Sequence, residues 1–374
     1  MSIVRLGAKA IDTTDPVLGQ VLSSTDGVVL GRRNMIINGD MRIAQRGTSA
    51  TGINSSGYYT VDKVDLAIST TSGAFTQSQV TDAPEGFSHA LKFDCTTADT
   101  SVAAGETTIV MWQLEGQDVQ QMLKGTSNAK QVTVSFYAKA NAAKTYVCEL
   151  KDFTNTRTVS KAFTVGTSYT RHEITFPADT TGAITSDNAK GLSMNIWLHA
   201  GSTYSSGTLQ TTWGAQVNAN RCPGIDSFYS STDNTFFITG VQMEVGESAS
   251  EFEHRTFNEE LAMCQRYFIR VAAATNYSKF GVGRAWNASN TAHVLYLPVP
   301  MRTTPAFSHT TASNFGVAGV GNNISSFGLA ERDTNNQMMT LNCVYATNSM
   351  STGTIYQVEA NGNTNASMDF NADL

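Results

Sequence analysis

Apolar residues recur at every second position over long stretches of this chain, and that period of two limits the fold more than any other feature. In QVTVSFYAKA, Val132, Val134, Phe136 and Ala138 share one face of an extended segment, because successive side chains of a strand point to opposite sides. LSMNIWLHA does the same with Leu192, Met194, Ile196 and Leu198, and TFFITGVQMEVG reads with Phe237, Val241, Met243 and Val245 together. One apolar face and one wet face is the signature of antiparallel sheets packed in pairs. The expected fold is therefore all-β: an N-terminal arm, a β-sandwich of jelly-roll type, a short linker helix and a second, smaller β domain. The 374 residues suffice for two or three such units. Abundant Ser, Thr, Asn and Gly, with only 15% charged residues, favours short strands and turns over helices. No fixed-period repeat points to a propeller or β-helix.

The units are expected at 1–33, 34–253, 254–270 and 271–374. The first has too little apolar surface to fold alone. Its VLSSTDGVVLG reads as a hairpin with Asp26 and Gly27 in the turn, an arm that would order against a partner or a neighbouring subunit. Within the second, EGQDVQQMLKG reads as a short helix with Val119, Met122 and Leu123 on one side and Gly125 as its stop.

The linker carries the densest charge, EFEHRTFNEELAMCQRYF. Thr256 followed by Glu259 fits a capping box, and Glu259 and Glu260 suit the positive end of a helix. Phe257, Leu261, Cys264 and Phe268 are spaced as one apolar stripe, although QRYFIRVAA alternates like a strand. Glu251, Glu253 and His254 form no metalloprotease spacing and read as a joint rather than a metal site.

A net charge of −6 and pI near 5.5 argue against a nucleic-acid partner. No apolar run is long enough for membrane insertion, and MSIVRLGAKAIDTTD lacks a signal peptide's apolar region, so synthesis in a cytoplasm is expected. Cys95, Cys148, Cys222, Cys264 and Cys343 are scattered and read as reduced, buried thiols. No nucleophile elbow, P-loop or dinucleotide fingerprint appears, and Asp179, Asp187 and Asp226 sit in turn-like text; the chain is not expected to be an enzyme. No cofactor is expected, with a structural calcium on Asp82 and Glu85 or Asp94 left open.

Three passages carry a resemblance. RRNMIINGDMRIAQRGT and ITGVQMEVGESASEFEHRTFNEELAMCQRYF resemble segments of tailed-phage tail fibres and receptor-binding virion proteins. WQLEGQDVQQMLKGTSNAKQVTVSFYAKA is similar to the helix-then-strand passage of their carbohydrate-binding-module-like jelly rolls. The resemblance covers about residues 32–270. It implies a virion structural protein, a homo-oligomer expected as a trimer, joined to other tail or capsid proteins through residues 1–33 and attaching to a host-surface glycan. The alternatives are a capsid spike, vertex or tail adaptor protein without glycan binding, and a glycan-cleaving enzyme.

A glycan site of that kind needs exposed aromatics with amides and arginine nearby. Trp197 and His199 lie opposite the apolar row of LSMNIWLHA, and Tyr204, Trp213 and Arg221 follow with Gln216 and Asn218. These are the expected glycan contacts; the competing reading packs Trp197 under a covering loop or against another subunit. Trp112 shares its phase with Val110 and Leu114 and is expected in the core. In 271–374, Tyr277, Phe280, Trp286, Phe307 and Tyr356 are spread among small polar residues, a mixture suited to a second binding surface.

Overall fold

A computed structural model describes residues 32–318, 324–329, 334–345 and 350–374. The expected hairpin at Asp26 and Gly27 lies outside these residues.

Alternating text becomes two antiparallel sheets packed face to face, a β-sandwich of jelly-roll type. The six-stranded sheet runs Ser49–Ile53, Ala74–Val80, Ala90–Thr97, Thr235–Val245, Val132–Ala140, Thr170–Phe176 in spatial order. The seven-stranded sheet runs Gly214–Ala215, Arg157–Val165, Lys144–Asp152, Lys190–Ala200, Thr107–Glu115, Asp65–Ser69, Gly57–Tyr58. Val132, Val134, Phe136 and Ala138 meet Leu192, Met194, Ile196, Leu198 and Trp112 in one core between them. Two phases differ from the reading above. A bulge between Thr239 and Gln242, with Gly240 at φ 62°, turns the strand over. Phe236 and Ile238 are therefore buried, and Phe237 faces outward beside Lys139. In the short helix, which is 3-10 from Gly116 to Met122, Val119 and Met122 are buried. Leu123 instead takes the left-handed cap conformation, φ 49°, and is exposed, so the helix stops two residues before Gly125.

A second apolar cluster, separate from the first, joins a three-stranded sheet (Phe268–Ala272, Ser367–Asn371, Ala306–His309) to a six-stranded one (Phe315–Val317, Ile355–Ala360, Lys279–Ala285, Asn290–Tyr296, Met338–Tyr345, Ile324–Leu329). Phe280, Phe307 and Tyr356 belong to that core, whereas Tyr277 and Trp286 are exposed. The aromatics expected to act together are thus divided between interior and surface.

The joint helix spans Phe257–Gln265 and has the capping box, with Thr256 accepting from the Glu259 backbone and Glu259 reaching back to Thr256. Its packed face is not the expected stripe. Phe257 is 52% exposed, Phe268 already belongs to a strand, and the buried pair is Glu260 with Cys264. Glu260 is drawn inward because it accepts the Asn38 N–H and lies 3.5 Å from Arg255. Glu253 accepts the backbone N–H groups of Arg33 and Asn34, His254 stacks between Phe87 and Phe252, and Glu251 is exposed. The strand Phe268–Ala272 runs across the expected boundary at 270, so the second unit begins inside the linker.

Polar and aromatic contacts then clamp the two units. Arg266 forks Glu115 at 2.6 and 2.7 Å, and the Tyr267 hydroxyl donates to the same carboxylate at 2.7 Å. The Arg46 guanidinium lies 3.6 Å over the Phe268 ring and pairs with Asp373. Arg270 forks Asp369 and donates to the Arg46 carbonyl. Asp62 is buried beneath this seam, beside Gln45 and 3.8 Å from Arg46. Burial raises its pKa from 3.8 to about 6, with Gln45 and Arg46 opposing.

Thr256→Ala should lower stability by about 1 kcal/mol through loss of the cap; equal denaturation midpoints for variant and wild type would contradict the helix start. Asp62 keeps a proton in the folded chain that the unfolded chain releases between pH 4 and 6. Its contribution to stability is present below about 4 and is lost as pH rises through about 6. Relative to Asp62→Asn, wild type should therefore lose stability over that window, read from denaturant melts at successive pH values; parallel curves would refute it.

Candidate functional site

The inner face of the seven-stranded sheet is the core, so its alternate residues form an outer face arranged in cross-strand rows. One row is Ala67, Ile109, Trp197, Val147 and Ala162. The next is Asp65, Met111, Asn195, Glu149 and Ser160, followed by Gln113, Ser193, Lys151 and Thr158. Lys190 and Glu115 pair at the far end.

The long connection 201–234 folds back over the first row. Thr203 N–H donates to the Ala104 carbonyl, Ser160 N–H to Gln210, and Asp226 N–H to Thr145, with lengths of 2.9, 2.7 and 2.9 Å. Trp197, Ile109, Val147 and Cys222 close into a small apolar cluster beneath it, with Tyr204, Leu209 and Ile225 packed against them. Glu149 has no exposed surface, yet four donors converge on it. Arg221 forks it at 2.7 Å on both oxygens, Asn195 donates at 2.8 Å, and the Trp197 indole N–H at 3.1 Å. The Arg221 guanidinium also lies 4.6 Å over the Trp197 ring.

This corrects the expected glycan contacts. Trp197, His199 and Arg221 are buried, so they offer no platform for a sugar ring. His199 lies 2.8 Å from the Ser227 hydroxyl and 3.0 Å from Glu106, holding the connection to the sheet. Tyr204 is half-buried and packs on Trp197 at 5.5 Å between centroids. Trp213 stands apart, its indole N–H donating to the Pro177 carbonyl and its ring 5.1 Å from Lys124. The cause is common to Trp197, His199, Tyr204 and Arg221: the connection needs apolar and ionic anchors on the sheet, and these residues supply them. The loop carboxylates are likewise engaged. Asp179 pairs with Arg157 and Lys124, Asp82 with Lys139 and Asp94 with Lys92, while Asp187 and Asp226 accept nearby backbone N–H groups. All five cysteines are buried and free.

Beyond the covered row the face is polar. Gln113 Oε1, Ser193 Oγ, Asn195 Oδ1, Thr158 Oγ1 and Ser160 Oγ are buried and without a hydrogen-bond partner. Leaving such atoms unmet costs about 1–3 kcal/mol each, and five on one face form a concentrated set of unused acceptors and hydroxyls. Half-buried Met111, Lys151 and Lys190 lie among them. Burial raises Asp65 from 3.8 to about 6, opposed by Lys190 and by Gln113, whose amide donates to it. Burial, with Arg221 second, lowers Lys151; burial likewise lowers Lys190, which Asp65 opposes. The covering connection bounds one end of this face, and Arg266 on Glu115 bounds the other. Sequence reasoning looked past these residues, although they are the polar half of the same alternation, SMNIW and CELKD, that placed the core.

The chain matches no protein-family model and no curated protein. Among solved structures it is similar to a CBM4 module, 9% identical over 56% of this chain and 99% of that one, with a TM-score of 0.30. A Family 11 carbohydrate-binding module from Clostridium thermocellum, in complex with a beta-1,3-1,4-mixed-linked tetrasaccharide, is 11% identical over 55% and 98%, TM-score 0.27. The enzymatically active domain of tailspike protein 4 of bacteriophage CBA120 is 9% identical over 57% of this chain and 21% of that one, TM-score 0.27.

Removing Arg221 leaves the Glu149 carboxylate buried and unpaired. Arg221→Ala should cost about 3–5 kcal/mol, and Glu149→Leu with Arg221→Met should recover most of that loss. Denaturant melts giving Arg221→Ala the stability of wild type would show the pair to be dispensable.

Proposed function

We propose that this chain is a phage virion protein, a tail fibre or receptor-binding component, whose sandwich binds a host-surface glycan without cleaving it. The observation that carries the glycan reading is the set of unpartnered hydroxyl and amide atoms on the outer face of the seven-stranded sheet. Sugars present hydroxyls that donate and accept at close spacing, and a rigid sheet holds its polar side chains in matching rows. Met111 and Lys151 are flexible enough to move aside for a bound chain. The sequence resemblance supports the virion setting, and we read the assembly as a homotrimer in which residues 1–33 attach to neighbouring virion proteins. Light scattering at micromolar concentration tests the trimer, and a stable monomer refutes it.

Ser193→Ala and Gln113→Ala each strip a buried polar group from the proposed face without adding bulk to it. Each should reduce retention on host polysaccharide at least tenfold in affinity electrophoresis while leaving the melting temperature nearly unchanged, and reducing ends should not accumulate. Wild-type retention in both variants would remove the face from consideration. Labelled antibody on intact particles should decorate the tail; decoration confined to capsid vertices would favour the spike reading.

A further inference from the structure

Phe153, in the turn after the Lys144–Asp152 strand, has the Lys151 ammonium 4.7 Å and the Lys190 ammonium 4.8 Å from its ring centre. Two cations share one half-buried ring, and among the described residues neither has a carboxylate within 4 Å, in contrast to Lys92, Lys124, Lys139 and Lys279. Of the carboxylates near this edge, Glu115 is held by Arg266 and Tyr267 and Glu149 by Arg221, while Asp65 accepts from the Gln113 amide and attracts Lys190 from a distance. Acids are not scarce, since the chain has 31 against 25 lysines and arginines. The two ammonium groups are thus only partly balanced, Lys190 by Asp65 and Lys151 by Glu149, with neither in an ion pair among the described residues. Aromatic contact stabilises each ammonium modestly but does nothing for their mutual repulsion, which an anion between them would relieve.

We propose that the glycan taken by this face is acidic, with a sugar carboxylate shared by Lys151 and Lys190 beside Phe153. The inference rests on the glycan reading above and adds the ligand's charge. Buried Ser193, Thr158 and Gln113 lie beneath these side chains, and once the lysines swing toward the anion their unpartnered atoms meet the hydroxyls of the same or the next sugar. Discrimination against a neutral chain follows from leaving the two cations without an anion when that chain is bound.

The test is affinity electrophoresis and titration calorimetry of the full chain with polygalacturonate, against neutral galactan and dextran. Polygalacturonate should bind, weakening as salt rises from 50 to 300 mM (about a twofold shorter screening length). Lys151→Gln with Lys190→Gln should weaken it at least tenfold, while the exposed-charge control Lys144→Gln leaves it unchanged and melting confirms that both variants fold. Binding of polygalacturonate that ignores the double substitution overturns the inference, as does neutral galactan binding as tightly as the acid. If galactan or dextran binds and is lost in Ser193→Ala, the acidic ligand is refuted while the glycan reading stands. If none of the three polymers binds and host polysaccharide is also ignored, both fall together.

Discussion

Glu149 is a carboxylate with no contact with water at the middle of a sheet, and much of the first unit is arranged to make that tolerable. A charge so placed costs several kcal/mol unless it is paired and fully hydrogen-bonded. Arg221 can reach it only if the connection 201–234 lies back over the sheet, and Trp197 and Asn195 can donate only if their strand keeps its register. The ionic contact thus selects one path for a long connection that has little regular structure of its own. That path reaches past the first row to Glu149, Ser160 and Thr158, and half-buried Met111, Lys151 and Lys190 lie over the rest of the polar rows.

A second buried carboxylate works in the same way at the other end. Glu115 ties the sandwich to the joint through Arg266 and Tyr267, and the cation–aromatic stack of Arg46 on Phe268 seals the seam beside it. The two carboxylates lie on the same outer face, which the covering connection bounds at one end and the second unit at the other.

Much of the architecture was legible because alternation is a local property. Val132 to Ala138 and Leu192 to Leu198 face the core as their spacing requires, and Thr256 caps its helix as its partner Glu259 announces. The failures have local causes too. Phe237 was assigned inward because nothing short of the backbone angle at Gly240 discloses a bulge. Leu123 was assigned to a packed face because the left-handed cap was sought at Gly125 instead. The site failed for a different reason. Trp197 was recognised as lying opposite the core, but whether that side is open or covered depends on Thr203, Gln210 and Asp226 meeting backbone groups far away in the chain. Those pairings leave no pattern in sequence. Ser193, Asn195 and Lys151 were in plain view, and attention to aromatics alone passed over them.

The strand Ser367–Asn371 lies between Phe268–Ala272 and Ala306–His309 and pairs with both. The outer two are synthesised first and have no direct ladder to one another, so each waits for a middle partner that leaves the ribosome much later. Closing so long a loop is entropically costly and slow, and Phe268 meanwhile lacks its place beneath Arg46. A chain halted before residue 367 would expose two unpaired edges and an open seam at once, which are features that proteases and chaperones recognise. Only chains translated past that strand can reach the closed fold.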